Sequence, residues 1–202
     1  MGQQGYAQGL PRSQARKSRS PADKAFTIYR PLENESALEL HEMMQGLHRD
    51  GMFPTQAEIR PPEHMRVTYV ERSQLTRQLQ GVASTFNAFQ AFDDVWHECD
   101  KGHRNLEATL GRAALMDRRD NTVVARIEHN QIVASEFEII ADIFTNLNIK
   151  GMRRKKFRPH VSLVKVNGLS KLEKRNIESD LTEVLPKTIT LAAMQAFPFG
   201  TR

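Results

Sequence analysis

Apolar residues recur along this chain with two spacings, which predict two kinds of secondary structure. A spacing of three and four residues predicts four helices: one from Ser36 to about Asp50 that Gly51 ends, one following Ser73, one from Val133 to about Gly151, and one opened by Ser170 and Glu173. Alternating or short apolar runs predict seven strands, at 26–30, 65–70, 95–99, 106–116, 122–128, 157–165 and 187–194. Strands and helices interleaved in this order predict an α+β fold.

The order of these elements repeats on the two sides of the middle strands. In each half, a strand with polar positions is followed by a helix that begins at a serine, Ser73 or Ser170. The segment 66–69 therefore corresponds to the segment 160–163. This repetition predicts a single two-lobed, duplicated domain over residues 25–202, with antiparallel sheets around a central cleft.

The first 24 residues differ in composition from the rest of the chain. They hold five basic side chains against Asp23 alone, so they carry four of the five net positive charges of the protein. They are also rich in Gly, Gln and Ser, a composition that cannot bury enough apolar surface to offset chain entropy. We predict a disordered basic tail over 1–24. It is a solvated leader, an organelle-targeting leader or an arm that contacts nucleic acid.

The composition of the whole chain limits the class of protein. Of its 202 residues, 39% are hydrophobic and 26% are charged, as in soluble globular proteins. The sequence has no apolar run of the length that a bilayer-spanning helix or a secretory signal needs. Cys99 is the single cysteine, which rules out an intrachain disulfide. We therefore expect a cytoplasmic protein without membrane contact, with an organelle as the alternative location.

The strand at 157–165 carries the most informative chemistry. His160 and Ser162 are two residues apart within an apolar run, so on a strand they point to the same face. Val161 and Leu163 point to the other face. A strand that presents a titratable imidazole beside a hydroxyl is typical of sites that act on phosphate esters.

Two segments resemble the paired motifs of the two-histidine (2H) phosphoesterase superfamily, in particular its LigT-like branch of RNA 2',3'-cyclic phosphodiesterases and 2'-5' RNA ligases. The segment 157–163 resembles the family's Phe-Arg-Pro-His-hydrophobic-Ser/Thr-hydrophobic strand. The segment 61–68 resembles its first motif, in which Pro-Pro-Glu precedes His-hydrophobic-Thr, but Arg66 stands where the family carries its first histidine. The resemblance covers residues 25–196 in element order and implies phosphodiester chemistry that needs no metal and no cofactor.

Roles for individual residues follow from this resemblance. In the family, one imidazole draws a proton from the attacking water and the other gives a proton to the departing oxygen, while hydroxyls hold the non-bridging oxygens. By the resemblance, the catalytic candidates are His160, Ser162 and Thr68, and the candidates that bind the substrate phosphate are Arg66, Arg158 and Lys165.

Arg66 leaves three interpretations open. Arginine cannot transfer a proton near neutral pH but can grip a phosphate with two parallel hydrogen bonds, so binding would persist while turnover is weakened or lost. Alternatively, His64 replaces the missing imidazole as acid or base if the strand extends that far. In the third interpretation the resemblance is accidental and Arg66 is an ordinary exposed strand residue.

The predicted ligand is a cyclic phosphate or phosphodiester of an RNA end or a small nucleotide. Three functions remain open: a binding protein with weakened turnover, an active 2',3'-cyclic phosphodiesterase, and a structural component of a ribonucleoprotein. The basic run 153–156 would steer an RNA backbone if it lies beside the cleft. Tyr29 and Tyr69 are candidates for stacking a base, whereas residues 97–103 match no structural zinc pattern.

Overall fold

The computed structural model describes residues 26–70, 105–116, 121–146 and 157–198. Its strands are β1 (Phe26–Pro31), β2 (Glu58–Ile59), β3 (Arg66–Val70), β4 (Leu106–Met116), β5 (Thr122–Ile127), β6 (His160–Lys165), β7 (Thr188–Leu191) and β8 (Gln195–Pro198). Its helices are α1 (Asn34–Arg49), α2 (Gln131–Asn146) and α3 (Lys171–Val184), with a short 3-10 turn at Pro62–His64. The predictions for the tail 1–24, the helix after Ser73, the strand at 95–99, the segment 97–103 and the basic run 153–156 lie outside the described residues.

The described strands form one antiparallel sheet in the order β7-β4-β5-β6-β3-β1-β8, with β2 paired to β6. The two halves of the sheet meet where β3 and β6 pair, at Val67 opposite Val161. The sheet curls, because Leu32 just after β1 bridges Leu191 at the end of β7. Antiparallel strands combined with helices confirm the predicted α+β class and place the two motif strands at the centre of the sheet.

The core forms because each helix buries an apolar stripe against the sheet. On α1 the buried residues Ala37, Leu40 and Met44 recur every three or four positions, which is the spacing of one helix face. On α2 the buried stripe includes Val133, Phe137, Ile140 and Ala141, and on α3 it includes Ile177 and Leu181. None of the described helices is both long and apolar enough to cross a bilayer.

The start of α1 corrects a prediction. Ser36 and Glu39 have the spacing of a capping box, but the helix begins at Asn34 and its N-cap is Glu33, whose carboxylate accepts from the backbone N–H of Glu35. Ser36 is engaged elsewhere, because its Oγ accepts from the backbone N–H of Thr190 at 3.0 Å. The serine therefore ties α1 to β7 rather than starting the helix.

The last predicted strand also differs from the structure. The apolar run 187–194 predicts one strand, but β7 ends at Leu191 and a separate β8 begins at Gln195. The two pair with different partners, β7 with β4 and β8 with β1. Between them, the N–H of Ala192 bonds to the carbonyl of Pro31 at 2.9 Å, and Met194 is buried. Apolarity alone cannot reveal this break, because apolar residues run through the end of β7 and the residues that follow it.

The predicted start of α3 is confirmed. Ser170 and Glu173 form a reciprocal capping box, in which each side chain accepts from the other residue's backbone N–H. The hydrogen bonds from Ser170 lower the pKa of the exposed Glu173 carboxylate. The helix then buries Leu181 and packs against β4.

We expect Ser170→Ala to lower the free energy of unfolding by about 1 kcal/mol, because the helix loses its N-cap acceptor. Since the pKa of Glu173 is lowered in the folded state, its part of this contribution is present at neutral pH and is lost as the pH falls through the folded pKa. Urea unfolding followed by circular dichroism measures the change. Ser179→Ala, at an exposed position of the same helix, serves as the matched control and should change the free energy by less than about 0.5 kcal/mol. Equal effects of the two variants would contradict the capping role.

A buried ionic cluster joins β1 and β3 to α2. Arg30 Nε donates to Glu136 Oε2 at 2.8 Å, Arg30 Nη2 donates to Glu136 Oε1, and Tyr69 Oη donates to Glu136 Oε2. Arg30 Nη1 also donates to the carbonyl of Ala192 at 2.8 Å. Burial by itself would lower the pKa of Arg30, but the hydrogen bond and charge of Glu136 outweigh it and raise that pKa. Burial, reinforced by the charge of Glu136, raises the pKa of Tyr69, so its hydroxyl stays a donor.

Candidate functional site

The pairing of β3 with β6 brings four predicted site residues onto one face of the sheet. Val67 and Val161 are directly opposite each other and fully buried. In an antiparallel pair, the residues one step away on each side are then also opposite: Arg66 faces Ser162, and Thr68 faces His160. All four of these side chains are half-buried and point away from the core side of Val67 and Val161. We call Arg66, Thr68, His160 and Ser162 the site quartet.

The register of β3 and β6 sets the spacing of the four polar groups. Arg66 and His160 stand on the diagonal of the quartet, and diagonal neighbours across an antiparallel pair lie about 7–8 Å apart. The two hydroxyls, of Thr68 and Ser162, stand on the other diagonal. A tetrahedral anion above the sheet can therefore be contacted from several directions at once by a guanidinium, an imidazole and two hydroxyls.

One contact fixes the imidazole of His160. Its Nδ1 lies 2.9 Å from the carbonyl oxygen of Arg158. Because a carbonyl only accepts, Nδ1 must carry the proton in this contact, and the neutral imidazole presents Nε2 as an acceptor. The backbone carbonyl of Arg158, just before β6, thus sets both the tautomer and the orientation of a group suited to proton transfer.

The guanidinium of Arg66 is held over an aromatic ring. Its Cζ lies 4.4 Å from the centroid of the Tyr29 ring. The ring is nearly buried and its hydroxyl donates to Gln195 Oε1 at 3.3 Å, so β1 and β8 support the guanidinium from one side. Arg66 is therefore positioned by packing and is not an unconstrained surface side chain.

The two candidate base-stacking tyrosines are used inside the protein. Tyr69 is buried, donates to Glu136 and stacks on Phe157 with 5.6 Å between ring centroids. Tyr29 lies beneath Arg66. The prediction that Tyr69 stacks a base is therefore wrong, because its ring is buried on the core side of β3.

Two other candidates are not part of the quartet. His64 is a candidate only if the strand extends to it, but Pro62–His64 forms a 3-10 turn and β3 begins only at Arg66. That condition fails, because the turn breaks the strand alternation that would align His64 with the quartet. Lys165 lies at the far end of β6, five residues or about 16 Å along the strand from His160, and its Nζ is 3.9 Å from Glu58 Oε2. The structure does not bring Lys165 to the quartet, since the strand is extended and its ammonium already faces a carboxylate.

Sequence reasoning missed Arg126. In β5 it is directly opposite His160, so its side chain lies on the face of the quartet. It lines a cavity of about 250 Å³ together with His160, Arg158 and the apolar side chains of Leu115, Met116 and Val124. These described lining residues include two guanidinium groups and no carboxylate. The available signal was a single charged residue inside the otherwise apolar run Val123-Val124-Ala125-Arg126-Ile127.

Comparisons with known proteins find the same fold at low sequence identity. No protein-family model and no curated protein sequence matches the chain. Among solved structures, LigT of Escherichia coli in complex with 3'-AMP aligns over 86% of each chain with 9% identity and a TM-score of 0.54. TT0787 of Thermus thermophilus aligns over 85% of this chain and 83% of its own with 13% identity and a TM-score of 0.53.

A third neighbour comes from a different organism. Usb1 of Kluyveromyces marxianus aligns over 89% of this chain and 96% of its own, with 8% identity and a TM-score of 0.50. Identities this low establish the fold alone. Together with the antiparallel sheet and its paired central strands, these likenesses lead to one conclusion: the chain has a 2H phosphoesterase-type fold.

Proposed function

We propose that this protein binds a cyclic phosphate or phosphodiester of an RNA end or small nucleotide at the site quartet, with turnover weakened by Arg66. The observation that carries the proposal is the register of β3 and β6, which places a guanidinium, an imidazole and two hydroxyls on one face. The fold shared with LigT, a protein whose structure was solved with 3'-AMP, supports a nucleotide as ligand.

Each member of the quartet has a distinct role in this proposal. The guanidinium of Arg66 grips the phosphate with charge-assisted hydrogen bonds. The hydroxyls of Thr68 and Ser162 donate to its non-bridging oxygens. Nε2 of His160 transfers a proton, and the exposed Arg158 contributes positive charge next to it. This set of groups binds an anion without requiring a metal.

Proton balance explains why turnover should be low. Hydrolysis of a cyclic phosphate forms a P–O bond to water and breaks a P–O bond to a ribose oxygen. The water must lose a proton and the ribose oxygen must gain one. His160 can carry one transfer, but Arg66 keeps its protons at neutral pH. Without the second partner, the rate falls by about 10² to 10⁴.

Binding is tested by calorimetric titration with 2',3'-cyclic AMP. We expect Arg66→Ala to weaken binding by about tenfold or more, because a charge-assisted contact is lost. Arg49→Ala removes the same charge from an exposed position at the end of α1 and serves as the matched control. Equal affinities of the Arg66→Ala and wild-type proteins would refute the role of Arg66.

A second function, slow but real phosphodiesterase activity, is favoured by the anchored imidazole of His160. If it occurs, prolonged incubation with 2',3'-cyclic AMP yields a nucleoside monophosphate, and His160→Ala abolishes the product. His64→Ala is the matched histidine control, and product formation should survive it because His64 lies on the 3-10 turn. Complete absence of product would exclude phosphodiesterase activity, and binding would remain as the proposed function.

A further inference from the structure

A row of arginines continues from the quartet toward the edge of the sheet. Arg126 on β5 lies next to His160, and it also lines a second cavity of about 520 Å³. Arg112 on β4 and Arg175 on α3 line that same cavity. We call Arg126, Arg112 and Arg175 the arginine strip. From His160 on β6 to Arg112 on β4 the path crosses two inter-strand spacings, or about 10 Å, before it reaches α3, and this distance is longer than a single phosphate group.

The guanidinium groups of the strip are available to a ligand. Within the described part of the chain, none of the three forms an ion pair. Arg112 and Arg175 are exposed, and Arg126 is half-buried. Two carboxylates also line the cavity, and one of them, Glu178, accepts from the backbone N–H of Leu115.

Polar side chains of α3 cover the part of β4 that β7 does not reach. β7 pairs with the first part of β4, at 106–109, and among the described strands none pairs with the later part of β4 on that side. Side chains of α3 replace the missing strand: Thr182 Oγ1 accepts from Ala113 at 2.9 Å, and Glu178 accepts from Leu115. Polar groups of α3 are therefore held against the sheet beside the arginine strip.

We propose that the arginine strip binds the upstream phosphates of a single-stranded RNA whose cyclic phosphate end occupies the quartet. This inference rests on the proposed function and narrows its ligand from any small nucleotide to an RNA strand of several residues. A 2',3'-cyclic phosphate requires a ribose 2'-oxygen, which selects RNA over DNA. Successive cations along a path are the arrangement that follows a nucleic-acid backbone.

The surface beside the strip favours RNA over an acidic peptide. The smaller cavity, which His160 and Arg126 both line, has an apolar floor of Leu115, Met116 and Val124, and Met116 is 46% exposed. A flat base or ribose can pack on such a floor while its flanking phosphates meet guanidinium groups. A carboxylate-rich peptide would use the charges but not the apolar floor.

The test compares 2',3'-cyclic AMP with a four-nucleotide RNA that ends in a 2',3'-cyclic phosphate, using the full chain and titrations at several salt concentrations. We expect the RNA to bind about tenfold tighter than the mononucleotide. For the RNA, the logarithm of the association constant should fall more steeply with the logarithm of salt concentration, by about 0.7 for each additional phosphate contacted.

Variants then locate the additional contacts. The double variant Arg112→Gln/Arg175→Gln should bring the RNA-to-mononucleotide affinity ratio close to one and reduce the salt dependence for RNA. Arg49→Gln, an exposed arginine on α1, controls for the change in net charge. Poly-glutamate is added as a competitor of the bound RNA. If it competes as effectively as unlabelled RNA of the same charge, the ligand of the arginine strip is an acidic peptide and the RNA proposal is overturned.

Other outcomes separate this inference from the proposed function. If 2',3'-cyclic AMP binds in an Arg66-dependent way but RNA binds no tighter, RNA binding by the arginine strip is refuted and phosphate binding at the quartet is retained. If neither ligand binds, both proposals fail. The wild-type salt dependence needs no variant, so the inference stays testable even if the double variant does not fold.

Discussion

Arg66→His should raise the rate of 2',3'-cyclic AMP hydrolysis by about 10² to 10⁴ over the wild-type protein. The substitution supplies a second imidazole on the face that carries His160, diagonally across the β3–β6 pair. One ring can then take the proton of the attacking water while the other delivers a proton to the leaving oxygen. The measurement is the initial rate of nucleoside monophosphate formation, followed by chromatography.

Two further variants identify the source of the gain. Arg66→Gln removes the guanidinium without adding an imidazole and should stay as inactive as the wild-type protein. Arg66→His combined with His160→Ala should lose the gain, because one imidazole is again missing. An Arg66→His protein that binds the nucleotide but is no faster than Arg66→Gln would contradict the proposed geometry of the quartet.

Glu136→Leu should lower the free energy of unfolding by about 3–5 kcal/mol, because it removes the carboxylate that balances the buried charge of Arg30. Arg30 and Glu136 are both buried and joined by two hydrogen bonds, and Tyr69 also loses its acceptor. Such a loss is a large fraction of the total stability of a typical domain, about 5–15 kcal/mol. Urea unfolding monitored by circular dichroism measures it.

The matched control is Glu138→Leu, an exposed glutamate on the same helix, which should change stability by less than about 0.5 kcal/mol. The double variant Arg30→Met/Glu136→Leu should recover much of the loss, since an apolar pair contains no buried charge that the missing carboxylate would have to balance. A Glu136→Leu protein as stable as the Glu138→Leu protein would refute the role of the buried pair.

This cluster also concerns the site, because its members alternate with site residues along the strands. Arg30 follows Tyr29, which supports Arg66, and Tyr69 follows Thr68 of the quartet. The cluster lies on the opposite face of the sheet and fastens β1 and β3 to α2. We therefore expect loss of the cluster to destabilise the fold and also to disturb the positions of the quartet side chains.

The strands were predictable from the sequence where local pattern alone decides them. The alternation around Val67 and Val161 fixes which side chains share a face on each strand, so both halves of the quartet followed from spacing. The register that joins the halves depends on contacts between residues almost a hundred positions apart. For this reason the sequence could not reveal Arg126, whose relevance comes only from lying opposite His160.

What the sequence did not show has a common physical cause, which is competition from tertiary contacts. Ser36 has the right spacing for a helix cap, but its hydroxyl bonds to Thr190, and Glu33 takes over the cap. Lys165 shares a strand with His160, but it extends to Glu58 on β2. Arg30 was unremarkable as a strand residue, and its buried partner Glu136 lies on a helix whose sequence pattern shows only amphipathicity.

The most direct test of the central claim is a nuclear magnetic resonance titration of the histidine side chains with 2',3'-cyclic AMP. The His160 resonance is assigned by its loss in His160→Gln, and those of His64 and His129 are assigned in the same way. We predict that the His160 resonance shifts with nucleotide concentration along a saturable curve, while the exposed His64 and His129 stay in place. Saturable binding with an unmoved His160 resonance would contradict the assignment of the phosphate site to the β3–β6 pair.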